Sequence, residues 1–106
     1  MEFIETQTFT EIIKSLMNDD DYAALQQTLI RDPAAGDLIS GGGGLRKVRW
    51  MARSRNKGKR SGVRVIYFIR TTNSLLMLFA FGKDQQDDLT RDQLKVLRLF
   101  TAKGVL

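Results

Sequence analysis

The chain has 106 residues, a formal net charge of +5, 42% hydrophobic residues and 27% charged residues, the size and composition of one soluble domain with one core. It contains no cysteine and no histidine, which excludes disulfides, thiolate nucleophiles, cysteine-bound metal and the commonest general base. No apolar run reaches the ~18 residues of a membrane span, and the acidic start Met1-Glu2-Phe3-Ile4-Glu5-Thr6 lacks the basic and apolar stretches of a secretory signal. These features predict a cytoplasmic protein without a membrane partner, metal or cofactor.

Residues 2–5 read as a short strand or extended arm. Thr8 and Glu11 have capping-box spacing. Behind them Phe9, Ile12, Ile13 and Leu16 recur at helical spacing, which predicts a helix to about Met17. The polar break at 18–21 carries aspartates suited to the positive end of a second helix. Tyr22, Leu25 and Leu29 give that helix its apolar stripe, and Asp32-Pro33 ends it. Residues 34–44 read as a loop closing in four glycines. The run from Gly41 to Lys47 lacks the GxxxxGK[ST] spacing of a phosphate loop, so it reads as a turn into a strand.

Three strands should follow. Residues 45–52 form the first; 63–70, Val-Arg-Val-Ile-Tyr-Phe-Ile-Arg, are β-branched and aromatic and form the second; 75–82 form the third. Residues 71–74 suit a hairpin turn, and the basic stretch 53–62 suits a longer hairpin loop. Thr90 and Gln93 repeat the capping-box spacing, with Leu89 and Leu94 as a staple and Leu97 continuing the stripe of a last helix. The expected fold is α+β: an antiparallel sheet of three to four strands, two N-terminal helices and one C-terminal helix, with the helices packed on one sheet face and residues 1–106 forming one domain.

Charge is distributed unevenly. No Asp or Glu occurs between Leu38 and Lys83, a stretch that holds Arg46, Lys47, Arg49, Arg53, Arg55, Lys57, Lys59, Arg60, Arg64, Arg70 and Lys83. A surface of one sign attracts polyanions, so the expected partner is a nucleic acid. Alternation along the strands puts Lys47 and Arg49 on one face, and separates Arg64, Ile66, Phe68 and Arg70 from Val63, Val65, Tyr67 and Ile69. An arginine within an apolar strand must meet an anion or a solvated groove. A phosphate could supply that anion, and so could Asp84 or Asp87. Such cations can cleave RNA without metal or histidine, because RNA carries its own nucleophile in the 2′-hydroxyl. Arginine matches two phosphate oxygens with its planar fork. A lysine crowded by like charge can take the proton, with Lys47 and Lys83 as candidates. Tyr67 faces away from Arg64 and reads as a core residue.

Three ordered blocks resemble a known family. Gly44-Leu45-Arg46-Lys47-Val48-Arg49 resembles the GLRK(I/V)R segment of HigB-type toxins within the RelE family. Lys57-Gly58-Lys59-Arg60-Ser61-Gly62-Val63-Arg64-Val65-Ile66-Tyr67 is similar to their KGKRGG-x-R-(I/V)-IY segment, and Gly82-Lys83 with Asp88-Leu89 is similar to their YGK…DL block. The resemblance implies a RelE-like fold, control by a cognate antitoxin with a DNA-binding part, and ribosome-dependent cleavage of messenger RNA in the decoding site. It also implies that Lys47, Arg49, Arg64 and Lys83 surround the scissile phosphate. Arg46, Arg53, Arg55, Lys57, Lys59, Arg60 and Arg70 are then expected to contact RNA or the ribosome. The chain departs from RelE in having Asp84 where the family has a further arginine, and Leu89 or Thr90 where it has a tyrosine. Two other functions fit the same features: a ParE-like toxin directed at DNA gyrase, and a non-catalytic RNA- or ribosome-binding module.

Overall fold

The structure, a computed structural model, describes residues 1–53 and 62–101. In chain order the elements are β1 (Glu2–Glu5), α1 (Gln7–Leu16), α2 (Asp19–Arg31), β2 (Asp37–Leu38), β3 (Arg46–Met51), β4 (Gly62–Thr71), β5 (Ser74–Gly82) and α3 (Arg91–Arg98), followed by a short 3₁₀ turn at Leu99–Thr101. The strands form a five-stranded sheet in the order β1-β5-β4-β3-β2. β1 runs parallel to β5, and the other pairings are antiparallel. The fold is α+β, as expected from sequence, but the sheet is mixed and has one strand more than the largest number expected. The extra strand, β2, lies in what reads as loop and pairs Asp37 with Lys47 and Leu38 with Arg46.

Expectation and structure also differ in layering. α1 and α2 pack on one sheet face, where Phe9, Ile13, Leu16, Leu25 and Leu29 meet Val48, Val63, Val65, Tyr67, Leu75 and Met77. α3 packs on the opposite face, where Leu97 and Leu94 meet Leu45, Ile66, Leu76, Leu78 and Phe81. The reason lies in β4 and β5. Both their faces are apolar, and a strand with two apolar faces must be covered on both sides. β4 and β5 thus form the middle layer of three, and their fully exposed residues are Arg70 and Thr71, at the turn between them.

Local chemistry sets the helix starts. Asn18 caps α2 by accepting the Asp21 N–H at 2.9 Å, with Asp19, Asp20 and Asp21 in the first turn, where acids are favoured by the exposed N–H groups. Thr90 and Gln93 form the expected reciprocal box at the start of α3. α1 is capped by Thr6, whose Oγ1 accepts the Phe9 N–H at 3.1 Å, and Thr8 lies inside the helix. The chain turns at Thr6 because the β1 ladder ends there, with the Thr6 N–H donating to Met77 O at 3.1 Å and its hydroxyl to Leu78 O at 3.2 Å.

Tyr67 locks β2 and the segment before it to the sheet. Its side chain is fully buried on the α1–α2 face. The hydroxyl donates to Pro33 O at 2.6 Å and accepts from the Gly36 N–H at 2.9 Å. Burial raises the phenol's pKa above its ordinary value. Gly36 must be a glycine here: a Cβ would stand 2.8 Å from the Tyr67 ring and 3.0 Å from the Lys47 backbone. Tyr67→Phe should cost about 1–3 kcal/mol, because it strands a buried N–H and a carbonyl. Chemical denaturation with an unchanged slope checks it; a loss below a few tenths of a kcal/mol would show that water replaces the hydroxyl.

Candidate functional site

Residues directly opposite in adjacent strands share a face, and successive residues alternate. The register therefore groups the cations without reference to side-chain conformation. Arg49 pairs with Arg64, and Arg64 with Phe81. One step toward α3, Lys47 pairs with Ile66 and Ile66 with Phe79. One step outward, Met51 pairs with Gly62, and the Lys83 N–H donates to Gly62 O at 3.0 Å, setting Lys83 opposite Gly62. Three cross-strand rows thus bring Lys47, Arg49, Arg64 and Lys83 onto the face that α3 covers only in part. Its floor is apolar. Ile66 and Phe81 are buried beneath it, and the Phe79 and Phe81 rings lie 6.1 Å apart.

A carboxylate enters this face. Asp88, in the loop between β5 and α3, accepts from Lys47 Nζ at 3.0 Å. Lys47 and the Leu89 N–H hold the Asp88 carboxyl below its usual range, so it is a weak base and acts as an anchor. The loop is stapled in turn: Gln85 accepts the Gly82 N–H at 2.9 Å, and Gln86 donates to Asp88 O at 2.8 Å and to Gln93 at 2.8 Å. The ion pair fixes the Lys47 ammonium and orients the approach to α3. Among the described residues it is the one ion pair, and no acid pairs with Arg49, Arg64 or Lys83. Asp84 and Asp87, the two acids expected to compete for Arg64, do not pair with it.

Removing this carboxylate tests its weight. The Asp88 side chain is 65% exposed, and such pairs contribute about 0–1 kcal/mol. Asp88→Asn should shift stability by less than about 1 kcal/mol and tighten binding to a polyanion at low salt. The pair's contribution is present above the ordinary aspartate value and is lost as pH falls through the lowered value of the folded state, so between pH 5 and 8 it stays constant. A binding titration with a short RNA checks the direction; weaker binding by the asparagine variant would show that Lys47 needs its anchor.

The other basic residues are spread differently. Arg46 points to the α1–α2 face, opposite Tyr67, where its guanidinium donates to Gly36 O at 2.7 Å and Ala34 O at 3.4 Å. Arg53 is exposed past the end of β3, its backbone N–H donating to the Asp21 carboxylate at 3.0 Å. Arg70 is exposed six residues along β4 from Arg64, about 20 Å away at ~3.3 Å per residue. Arg55, Lys57, Lys59 and Arg60 lie outside the described residues. The glycine turn has positive φ at Gly41, Gly43 and Gly44, the left-handed backbone that favours glycine, and it leads into β3.

Sequence reading passed over two features. Asp88 stands in the motif that carried the family resemblance, yet its partner is 41 residues away in the chain. Arg91, Lys95 and Arg98 are exposed on α3 and line a groove with Gly41. Their i, i+4, i+7 spacing was the available signal, and it was missed because α3 lies outside the acid-free stretch.

No helix among the described residues is long and apolar enough to cross a membrane. A family model described as the RelE toxin of the RelE/RelB toxin–antitoxin system matches residues 1–105. The three-layered α+β fold, the cationic sheet face and this match over nearly the whole chain show that the protein belongs to the RelE toxin family and is the toxin member of a toxin–antitoxin pair.

Proposed function

We propose that this toxin, of the HigB-like subgroup, is a ribosome-dependent endoribonuclease acting in the cytoplasm and cutting messenger RNA in the decoding site. The observation that carries the reading is the convergence of Lys47, Arg49, Arg64 and Lys83 on one face, where the Asp88 carboxylate is tied to Lys47. Four cations and an apolar floor suit one phosphodiester with a base stacked beside it.

In the proposed reaction the ribose 2′-oxygen attacks the adjacent phosphorus. The bond from phosphorus to the 5′-oxygen of the next nucleotide breaks. The products are a 2′,3′-cyclic phosphate and a 5′-hydroxyl, and the 2′-hydroxyl proton ends on solvent or on the leaving oxygen. Arg64 and Arg49 stabilise the negative charge that grows on the non-bridging oxygens. Lys83 is the amine proposed to exchange protons with the attacking and leaving oxygens, and Lys47, tied to Asp88, adds positive charge beside them. The chain offers no strong base, and a ribosome holding the message in line would supply the alignment that such a site lacks. Arg91, Lys95 and Arg98 extend the cationic track along α3 toward ribosomal RNA. Arg46, tied to the 34–36 carbonyls, is structural in this reading.

Family membership implies a cognate antitoxin. We propose that it also carries a DNA-binding part and silences the toxin by covering the cationic face or by blocking entry to the ribosome. Incubating the purified protein with messenger RNA, with and without translating ribosomes, tests the activity. Cuts should appear with ribosomes and be absent or rare on free RNA. Intact message together with inhibited gyrase supercoiling would instead select the ParE-like alternative. Intact message with salt-sensitive ribosome binding would select a non-catalytic binder.

A further inference from the structure

Gly62 opens β4, is buried, and has an ordinary strand backbone with no positive φ. Nothing in its conformation calls for glycine. The space around it does. A Cβ built at residue 62 would lie 2.7 Å from Arg64 Nη1 and 3.9 Å from Arg64 Cζ, and among the described residues, its chain neighbours aside, no other atom comes within 4 Å. The missing side chain is thus filled by one group, the guanidinium of Arg64 folded back two residues along its own strand. The same row of the sheet holds Lys83, opposite Gly62.

We propose that Gly62 is a positioning residue whose bare Cα forms the seat of the Arg64 guanidinium, aiming it along the row toward Lys83 so that both cations meet one phosphate. The inference rests on the endoribonuclease reading for its consequence in rate, and on geometry alone for the seat. Without the seat, Arg64 keeps its charge and its strand position but loses its direction. The arginine tip is flexible and the strand backbone accepts any L-residue, so a methyl group at 62 moves the guanidinium and leaves the sheet in place.

Gly62→Ala tests it in a double-mutant cycle with Arg64→Ala, read by single-turnover cleavage on translating ribosomes. In the native background the alanine should slow cleavage about 100-fold, the cost of misplacing a reacting group by ~1 Å, with the melting temperature unchanged. In the Arg64→Ala background it should slow cleavage no further. Full activity of Gly62→Ala, or an equal loss in both backgrounds, overturns the proposal; the second result would mark Gly62 as a general structural residue. An independent arm follows the Arg64 side-chain Nε resonance by NMR, which should shift in Gly62→Ala. A fully active Arg64→Ala variant would sink the functional reading while this resonance still decides the seat: an unmoved signal refutes it.

Discussion

Arg64→Ala is expected to lose about 100- to 1000-fold in cleavage rate, the usual cost of deleting a preorganised donor to a developing anion, and with it the ability to arrest growth. The same variant should fold. Arg64 is half-buried at the centre of the cationic rows, between Arg49 and Phe81, and no carboxylate among the described residues pairs with it. Its removal therefore leaves no buried charge without a partner, the circumstance in which losing one member of an ion pair costs most. Induction of the two forms in cells, with growth, circular dichroism and mapped message ends, checks both halves. An unfolded variant would make Arg64 structural; a fully toxic one would place the site elsewhere.

RNA affinity should fall steeply with salt. The acid-free stretch carries eleven lysines and arginines, of which four lie together on the sheet face. With about 4–6 phosphate contacts at roughly −0.7 per contact on single strands, the log–log slope is about −3 to −4. Between 50 and 200 mM salt that amounts to a loss of about 60- to 250-fold. A filter-binding or anisotropy series over that range measures the slope, and a flat response would remove the electrostatic basis of the site. Neutralising Lys57, Lys59 and Arg60 together should weaken ribosome binding, with partial rescue at lower salt. Loss of cleavage at unchanged ribosome affinity would contradict a docking role for that segment.

Much of this architecture was legible from residue pattern, and the failures have physical causes. The β-branched run of β4 and the stripes of α1 and α2 are strong local signals, and the Thr90–Gln93 box is local by nature. β2 was illegible: two residues, one of them acidic, held in place by Tyr67 from about thirty positions away. The cap of α1 misled because Thr6 and Thr8 are both suitable, and the choice is made by the ladder to β5. The position of α3 could have been inferred. Ile66 and Phe68 share a face with Arg64, and so much apolar surface on that side demands a cover. The separation of Arg46 from Lys47 and Arg49 was equally present in strand alternation. Asp88 was different. Its motif is visible in sequence, but the 3.0 Å contact with Lys47 is a product of the fold.

The chemistry of the cut ends tests the central claim most directly. Message cleaved by the native protein on translating ribosomes should carry a 2′,3′-cyclic phosphate on the upstream fragment and a 5′-hydroxyl on the downstream one. Both should vanish with Arg64→Ala and with a message whose scissile 2′-hydroxyl is replaced by hydrogen. Fragments bearing a 3′-hydroxyl and a 5′-phosphate, or cleavage that survives loss of the 2′-hydroxyl, would show that water is the nucleophile and would contradict a cationic face acting on RNA's own hydroxyl.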